Sequence, residues 1–255
     1  MFRLDGKTAF VSAARGHLGQ AMTRALARAG AHVIVNGRDG AALAAYVETL
    51  RAEGFSAEAA AFDAFDISAL SGFLAARPRL DVLVNNAVAM QMKSFAALAP
   101  EDFARTFQSS VTAAFMAARA ALPALKAAVA ADGDASIINI ASMYAAVAPD
   151  ARLYPDPAQQ SPFHYGPAKA GLIQLTRHLA AEFGPLGVRV NAILPGPFPA
   201  RLADPAFGAR LAGRTMLRRL GRAEEIGGPL LFLAAPASSY MTGAALTVDG
   251  GWTAW

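Results

Sequence analysis

Short runs of apolar, often β-branched residues alternate along the chain with longer stretches whose apolar positions recur every three or four residues. The short runs predict strands at residues 7–12, 32–36, 57–62, 81–85, 136–140, 188–193 and 245–248. The longer stretches predict helices at 17–29, 41–53, 68–76, 103–130 and 165–183. Gly30 and Gly54 close the first two, Ser68 is a plausible N-cap for the third, and Pro123 kinks the fourth. Runs such as Val82-Leu83-Val84-Asn85 and Ile137-Ile138-Asn139-Ile140 are nearly continuous in hydrophobicity rather than alternating. Strands covered by helices on both faces have that character. Right-handed crossovers between such strands build an α/β fold: a single doubly wound domain over residues 1–255, with an about seven-stranded parallel sheet and helices on both faces.

Three segments qualify this picture. Residues 226–248 carry no charge and are long enough to span a bilayer. Pro229, Pro236, Ser238, Ser239 and Gly243 divide them into a helix, a turn and a strand, which reads as buried core. Residues 148–162 hold Pro149, Pro155, Pro157 and Pro162 and read as a surface loop over an active site. Residues from about 197 to 220 read as a lid.

Composition narrows the function classes. With 55% hydrophobic and 16% charged residues over 255 positions, the chain can bury a large core and is not of the disordered type. It has no cysteine, hence no disulfide framework and no thiolate metal site, and no metal is expected. The net charge of +4 is spread out, with no run of five basic residues, so nucleic acid is not the expected partner. The N-terminal stretch lacks an apolar core of signal-peptide length. A reducing, cytoplasmic setting without membrane attachment is therefore the expectation.

After the first strand comes Ser12-Ala13-Ala14-Arg15-Gly16-His17-Leu18-Gly19, running into a helix. A glycine-bearing turn between strand and helix is where a pyrophosphate meets backbone N–H groups and a helix N-terminus, as in Rossmann folds. On its own the match is weak, and a plain tight turn would look the same. The second strand ends in Asn36-Gly37-Arg38. A carboxylate there would bind a ribose 2′-hydroxyl, whereas a guanidinium pairs with a 2′-phosphate. Arg38 and Arg15 together favour NADP over NAD.

Ser142 lies just beyond the fifth strand, and Tyr165 and Lys169 follow four residues apart. Positions i and i+4 share a helix face. Pro167 is tolerated only in a first turn, so Tyr165 belongs at the helix start. A nearby ammonium lowers the pKa of a phenol, which can then exchange a proton with a substrate oxygen while nicotinamide exchanges hydride with carbon. A serine hydroxyl can orient that oxygen.

With these motifs in order, the sequence resembles the classical short-chain dehydrogenase/reductase family over essentially its whole length. The resemblance rests on the glycine turn, Asp63, Asn85-Asn86-Ala87, Ser142, Tyr165 with Lys169, Asn191, Pro195-Gly196 and the Val248-Asp249-Gly250-Gly251 tail. It implies that Asp63 holds adenine, that Asn85 and Ala87 line the cofactor, and that Lys169 also binds the nicotinamide ribose. It implies that the backbone from Pro195 through Gly196 to Phe198 brackets the carboxamide. It implies a homotetramer, or else a homodimer, built on the alanine-rich fourth helix and its neighbour. The tail and the Pro195-Gly196-Pro197-Phe198-Pro199 stretch are similar to gluconate 5-dehydrogenase-type members, with a keto-sugar acid or related polyol as the implied substrate. The 3-oxoacyl-carrier-protein reductase type is the nearest enzymatic alternative.

Four positions depart from the family pattern. Ala13 replaces the first glycine of the turn, which matters if that position needs a positive φ. Val88 replaces a glycine, and Ala200 stands where many relatives have threonine. Ser110 occupies the place of the fourth catalytic residue, an asparagine, so a proton relay behind Lys169 is in doubt. These departures motivate a second class of reading, a non-catalytic cofactor-binding or assembly subunit. His164 could touch substrate or be a solvated helix-start residue. Arg214, Arg218, Arg219 and Arg222 could draw in an anionic substrate or form a solvated face. Met90, Met92 and Phe95 could wall a pocket or lie in the core.

Overall fold

A computed structural model of the protein describes residues 1–156, 160–201 and 204–255. Seven strands form one wholly parallel sheet: β1 Thr8–Val11, β2 His32–Gly37, β3 Ala57–Ala61, β4 Val82–Asn85, β5 Ala135–Ile140, β6 Val188–Pro195 and β7 Ala245–Val248. Their order is β3-β2-β1-β4-β5-β6-β7. The order reverses between β1 and β4, and open α/β sheets bind ligands beyond the carboxyl ends of the strands at such a point.

Alternation along the strands produces the two-sided core. Ala9 and Val11 of β1 face one cluster, which receives Met22 and Leu26 from α1 (His17–Arg28), Leu43 and Val47 from α2 (Gly40–Ala52), and Leu230 and Leu233 from α8 (Gly227–Ala234). Phe10 faces the other, together with Leu70 and Leu74 of α3 (Ile67–Ala75), Ala117 and Ala121 of α5 (Ala113–Asp132), and Leu179 and Phe183 of α6 (Tyr165–Phe183). Both faces being covered explains why β1, β4 and β5 read as continuous apolar runs.

The expected helix at 103–130 is longer and less regular than its apolar pattern suggests. It starts as α4 (Pro100–Phe107), because proline suits a first helical position and the Asp102 carboxylate accepts the Ala99 N–H at 2.9 Å. A wide π-type turn, Gln108–Thr112, then joins it to α5. The span Pro100–Asp132 is long and apolar enough to cross a membrane by composition, but α5 packs its alanine face into the second core cluster. The cap of α3 is Asp66, whose carboxylate accepts from the Ser68 and Ala69 N–H groups, rather than Ser68. The uncharged stretch 226–248 divides into α8, a turn and β7 as expected; α8 with its neighbours Ile226 and Ala235 is core, and Leu246 and Val248 of β7 are partly buried against it. As an edge strand, β7 leaves Ala245 and Thr247 exposed. Within the loop at 148–162, Ala151–Leu153 forms a helical turn and residues 157–159 lie outside the described residues. The lid segment contains α7 (Pro205–Arg214), with residues 202–203 outside the described residues.

Candidate active site

The turn between β1 and α1 is built around a strained alanine. Ala13 has φ +50°, the conformation in which a glycine would carry no steric penalty. The surrounding bonds hold it there. Its carbonyl accepts from the Gly16 N–H at 3.0 Å and from the Asn86 amide at 3.3 Å, and the Ala14 N–H donates to the Asn36 carbonyl at 2.9 Å. Ala13→Gly is therefore expected to raise stability, by roughly 0.5–1 kcal/mol. An unchanged or lower denaturation midpoint would show that the strain is not borne by this residue.

The structure sorts the turn residues by role. Arg15 and Gly16 line a cleft of about 570 Å³ together with Arg38, Asp63 and Ala87. His17 instead lines a separate groove beside Glu53 and Glu224, and Leu18 packs against the first core cluster. Gly19 lets α1 approach the turn, because a Cβ there would lie 2.3 Å from the Ala13 carbonyl oxygen. Ser12 is buried, and its hydroxyl accepts from the Asn86 and Ala87 N–H groups at 2.8 and 3.0 Å. It pins the end of β1 to the loop after β4 and shapes the cleft from below.

The cleft has an excess of unpaired positive charge. The guanidinium groups of Arg15 and Arg38 have no hydrogen-bond or ion-pair partner among the described residues. Asp39 and Asp63, which also line it, accept backbone N–H groups from Ala42 and Phe65. A third guanidinium, Arg105 of α4, reaches the rim and meets only the neutral Gln91 amide, at 3.1 Å. The sequence reading missed Arg105, because nothing local separates it from other helix-surface arginines.

Further along the same carboxyl-end edge of the sheet, Ser142 follows β5. Its hydroxyl accepts from the Tyr144 N–H at 3.2 Å and lies close enough to the Tyr165 phenol to favour its ionised form. Tyr165 is the first residue of α6, with Pro167 in its first turn. Lys169 is buried one turn on, and its Nζ donates to the Ile140 carbonyl at 2.7 Å, 5.8 Å from the Tyr165 ring centroid. The expected lowering of the tyrosine pKa by the lysine is not what this geometry gives. Burial pushes the Tyr165 phenol above its usual value of 10.0, and the nearby Ser142 hydroxyl only partly opposes this. Burial also pulls Lys169 down to about 8, because the ammonium has one carbonyl partner and little water.

Other expected residues sit beneath or beside this pair. Asn85 donates to Asn139 at 2.8 Å, and Asn139 donates to Thr176 of α6 at 2.9 Å, so its amide braces the sheet against the helix. Ser110 is buried in the π-type turn beside a small void of about 20 Å³ under Asn85 and Ala87. Its hydroxyl has no hydrogen-bond partner among the described residues. Pro195 ends β6, and the Gly196 N–H donates to Val248 at 2.9 Å. Phe198 packs its ring against Gly221.

Three further expectations change. His164 is neither solvated nor open to a ligand, being fully buried. The basic stretch does not gather on the site. Arg219 and Arg222 pair with Glu225, while Arg214 and Arg218 lie over the rings of Trp252 and Trp255. Met92 and Phe95 are exposed rather than core, and Met90 lines the cleft. The sequence reading also missed Tyr144 and Tyr154, whose hydroxyls meet at 2.8 Å near Ser142. The position of Tyr144, two residues past Ser142, was the available signal.

A doubly wound sheet with a cationic cleft at its switch point and a serine–tyrosine–lysine cluster beyond its strands is the framework of a nucleotide-dependent oxidoreductase. A family model described as Enoyl-(Acyl carrier protein) reductase matches residues 13–253. The chain belongs to the short-chain dehydrogenase/reductase family and is an NAD(P)-dependent enzyme acting on CH–OH groups. It is 34% identical to an L-rhamnose 1-dehydrogenase (NAD(P)(+)) of Azotobacter vinelandii, over 97% of each chain. It is 33% identical to a rhamnolipids-biosynthesis 3-oxoacyl-[acyl-carrier-protein] reductase of Pseudomonas aeruginosa, over 98% of this chain and 97% of that one. Among solved structures, a gluconate 5-dehydrogenase from Burkholderia cenocepacia J2315 in complex with NADP and tartrate superposes with a TM-score of 0.86. It shares 30% identity, over 100% of this chain and 98% of that one.

Proposed function

We propose that the protein transfers hydride between NADP(H) and a carbonyl or secondary alcohol, with Tyr165 as general acid/base and Ser142 orienting the substrate oxygen. The observation that carries this reading is the grouping of Ser142 and Tyr165 with a buried Lys169 whose Nζ is fixed on the Ile140 carbonyl. Nicotinamide, when bound, supplies or accepts the hydride. The protein's own part is the proton. With its pKa raised by burial, the phenol is in its acid form at neutral pH and ready to donate to a carbonyl oxygen. Lys169 is still mostly protonated at that pH. Its positive charge favours the tyrosinate left after donation, and it is the group we assign to the nicotinamide ribose.

The unpaired guanidinium groups of Arg15 and Arg38 fit a 2′-phosphate, and the Gly16 end of α1 fits a pyrophosphate. Arg38→Gln is expected to raise KM for NADPH roughly 10-fold while leaving that for NADH within about 2-fold. Equal change for both cofactors would remove the 2′-phosphate assignment.

For substrate we favour a keto-sugar acid or related polyol over a 3-oxoacyl thioester, in keeping with the sugar-acting relatives. The test is NADPH consumption with a panel holding both classes. Turnover confined to 3-oxoacyl thioesters would reverse the preference. Cofactor binding without turnover on any member would favour a non-catalytic role. For assembly we favour a homotetramer. Phe103, Phe107 and Phe115 along α4 and α5, with Phe163 beside α6, leave an exposed apolar face that supports subunit pairing there.

A further inference from the structure

His164 belongs to neither role that its position before Tyr165 suggests. It is 0% exposed, so it meets neither solvent nor a diffusing ligand. Its Nδ1 lies 3.0 Å from the Thr106 hydroxyl of α4. That hydroxyl has one proton, which it donates to the Ala89 carbonyl at 3.1 Å. With that proton on Ala89, Thr106 accepts from His164, and we assign the ring proton to Nδ1. The ring's other nitrogen has no hydrogen-bond partner among the described residues, so the bond to Thr106 is the ring's one hydrogen bond there, with the Asp102 carboxylate of α4 within electrostatic reach. The edge of the Phe103–His164 ring contact, at 5.9 Å between centroids, fixes the plane.

The other end of this chain of bonds is the cofactor cleft. Ala89 is held twice, once by α4 and once by the π-type turn that follows it. Its carbonyl accepts from Thr106, and its N–H donates to the Ser109 hydroxyl at 3.0 Å. Ala87, Val88, Ala89 and Met90 form one wall of the cleft. His164 is the N-cap residue of α6, and its carbonyl accepts the Ala168 N–H at 3.2 Å, so the ring is rigidly tied to the start of the helix that carries Tyr165. Two hydrogen bonds, one buried and one partly buried, thus connect the residue next to Tyr165 with the wall against which the cofactor would lie.

We propose that His164 is a positioning residue: by donating Nδ1–H to Thr106, it holds the cofactor-lining segment 87–90 in register with Tyr165. A buried imidazole with one nitrogen unsatisfied is a poor choice for stability alone, since a phenylalanine would fill the same space without a stranded polar atom. Donation from one defined ring position is what the histidine adds. The assignment rests on the oxidoreductase reading above. It predicts that small displacements here act on turnover, because misplacement of reacting groups by even 1 Å lowers rates by orders of magnitude.

Two isosteric variants separate the ring's nitrogens. In His164→Asn the amide nitrogen falls near Nδ1, and in His164→Gln it falls near Nε2. We expect His164→Asn to keep kcat and NADPH affinity within about 3-fold of the unmodified protein. His164→Gln and His164→Phe should lower kcat roughly 10-fold or more and weaken NADPH binding several-fold, with the substrate KM changing less. Thr106→Val should reproduce the His164→Phe values, and the double variant should be no worse than either single one. NADPH affinity is measured by nicotinamide fluorescence and needs no turnover, so it reports on the positioning claim even if no carbonyl substrate is consumed and the functional reading fails. The proposal is overturned if His164→Phe retains both values, if Gln rescues and Asn does not, or if the losses track only the melting temperature.

Discussion

Tyr165→Phe is expected to lower kcat for carbonyl reduction by about three orders of magnitude, the scale of a positioned general acid. NADPH affinity should stay within about 2-fold, because only the phenolic oxygen is removed. The same oxygen governs the pH dependence. Reduction needs the phenol protonated, and burial holds its pKa above 10.0, so the reductive rate should be flat through neutrality. Alcohol oxidation needs the tyrosinate, so the oxidative rate should climb as pH rises towards that pKa. Binding of a cationic nicotinamide would draw the phenol's pKa down and bring the climb to lower pH without changing its sign. Single-turnover rates in both directions across pH test this. A Phe variant with near-normal turnover would exclude Tyr165 as the proton donor.

The second large effect is expected at the glycine turn. In Gly19→Ala the new Cβ would stand 2.3 Å from the Ala13 oxygen and 2.9 Å from the Ala14 carbonyl carbon and oxygen. All three are backbone atoms in a turn already strained at Ala13, so no flexible side chain can yield. Overpacking of this kind costs about 3 kcal/mol, which lowers the melting temperature by roughly 10 °C in a chain of this size. Moving α1 off the turn also moves its N–H groups from where a pyrophosphate would bind, so NADPH affinity should fall more than 10-fold. Gly72→Ala in α3, where nothing lies within 4 Å of the new Cβ, is the control. Its melting temperature should be unchanged or raised. Equal tolerance of both substitutions would contradict the packing described for the turn.

The architecture was largely legible in the sequence, because two-sided burial leaves continuous apolar strands and a parallel sheet leaves helices between them. What local pattern could not show was helix chemistry set by neighbours. Asp66 displaces Ser68 as a cap by accepting two N–H groups, and the π-type turn at Gln108–Thr112 has no periodicity signature. At the candidate site, types and spacing single out Ser142, Tyr165 and Lys169, but the direction of the Tyr165 and Lys169 pKa shifts depends on burial, which spacing does not encode. A lysine close to a tyrosine lowers the phenol's pKa only where that charge outweighs desolvation. Arg105 and His164 were beyond sequence reasoning for the same reason. Each draws its meaning from an element distant in the chain: Arg105 shares the cleft with Arg15 and Arg38, and His164 is tied through Thr106 to Ala89.

The departures from the family pattern now have physical content. Ala13 adopts the left-handed backbone conformation despite its methyl group, because the Asn86 amide and the Gly16 N–H hold its carbonyl. Ser110 leaves a small void and an unpaired hydroxyl in place of a longer amide side chain. Neither touches the grouping of Ser142, Tyr165 and Lys169.

The most direct test of hydride transfer is to supply NADPH deuterated at the transferring carbon of the nicotinamide, together with a keto-sugar acid, and to analyse the alcohol formed. The account predicts one deuterium on the new carbinol carbon, and none of that product with Tyr165→Phe on the same timescale. Bound NADPH that retains its label, with no alcohol formed from any carbonyl offered, would contradict it.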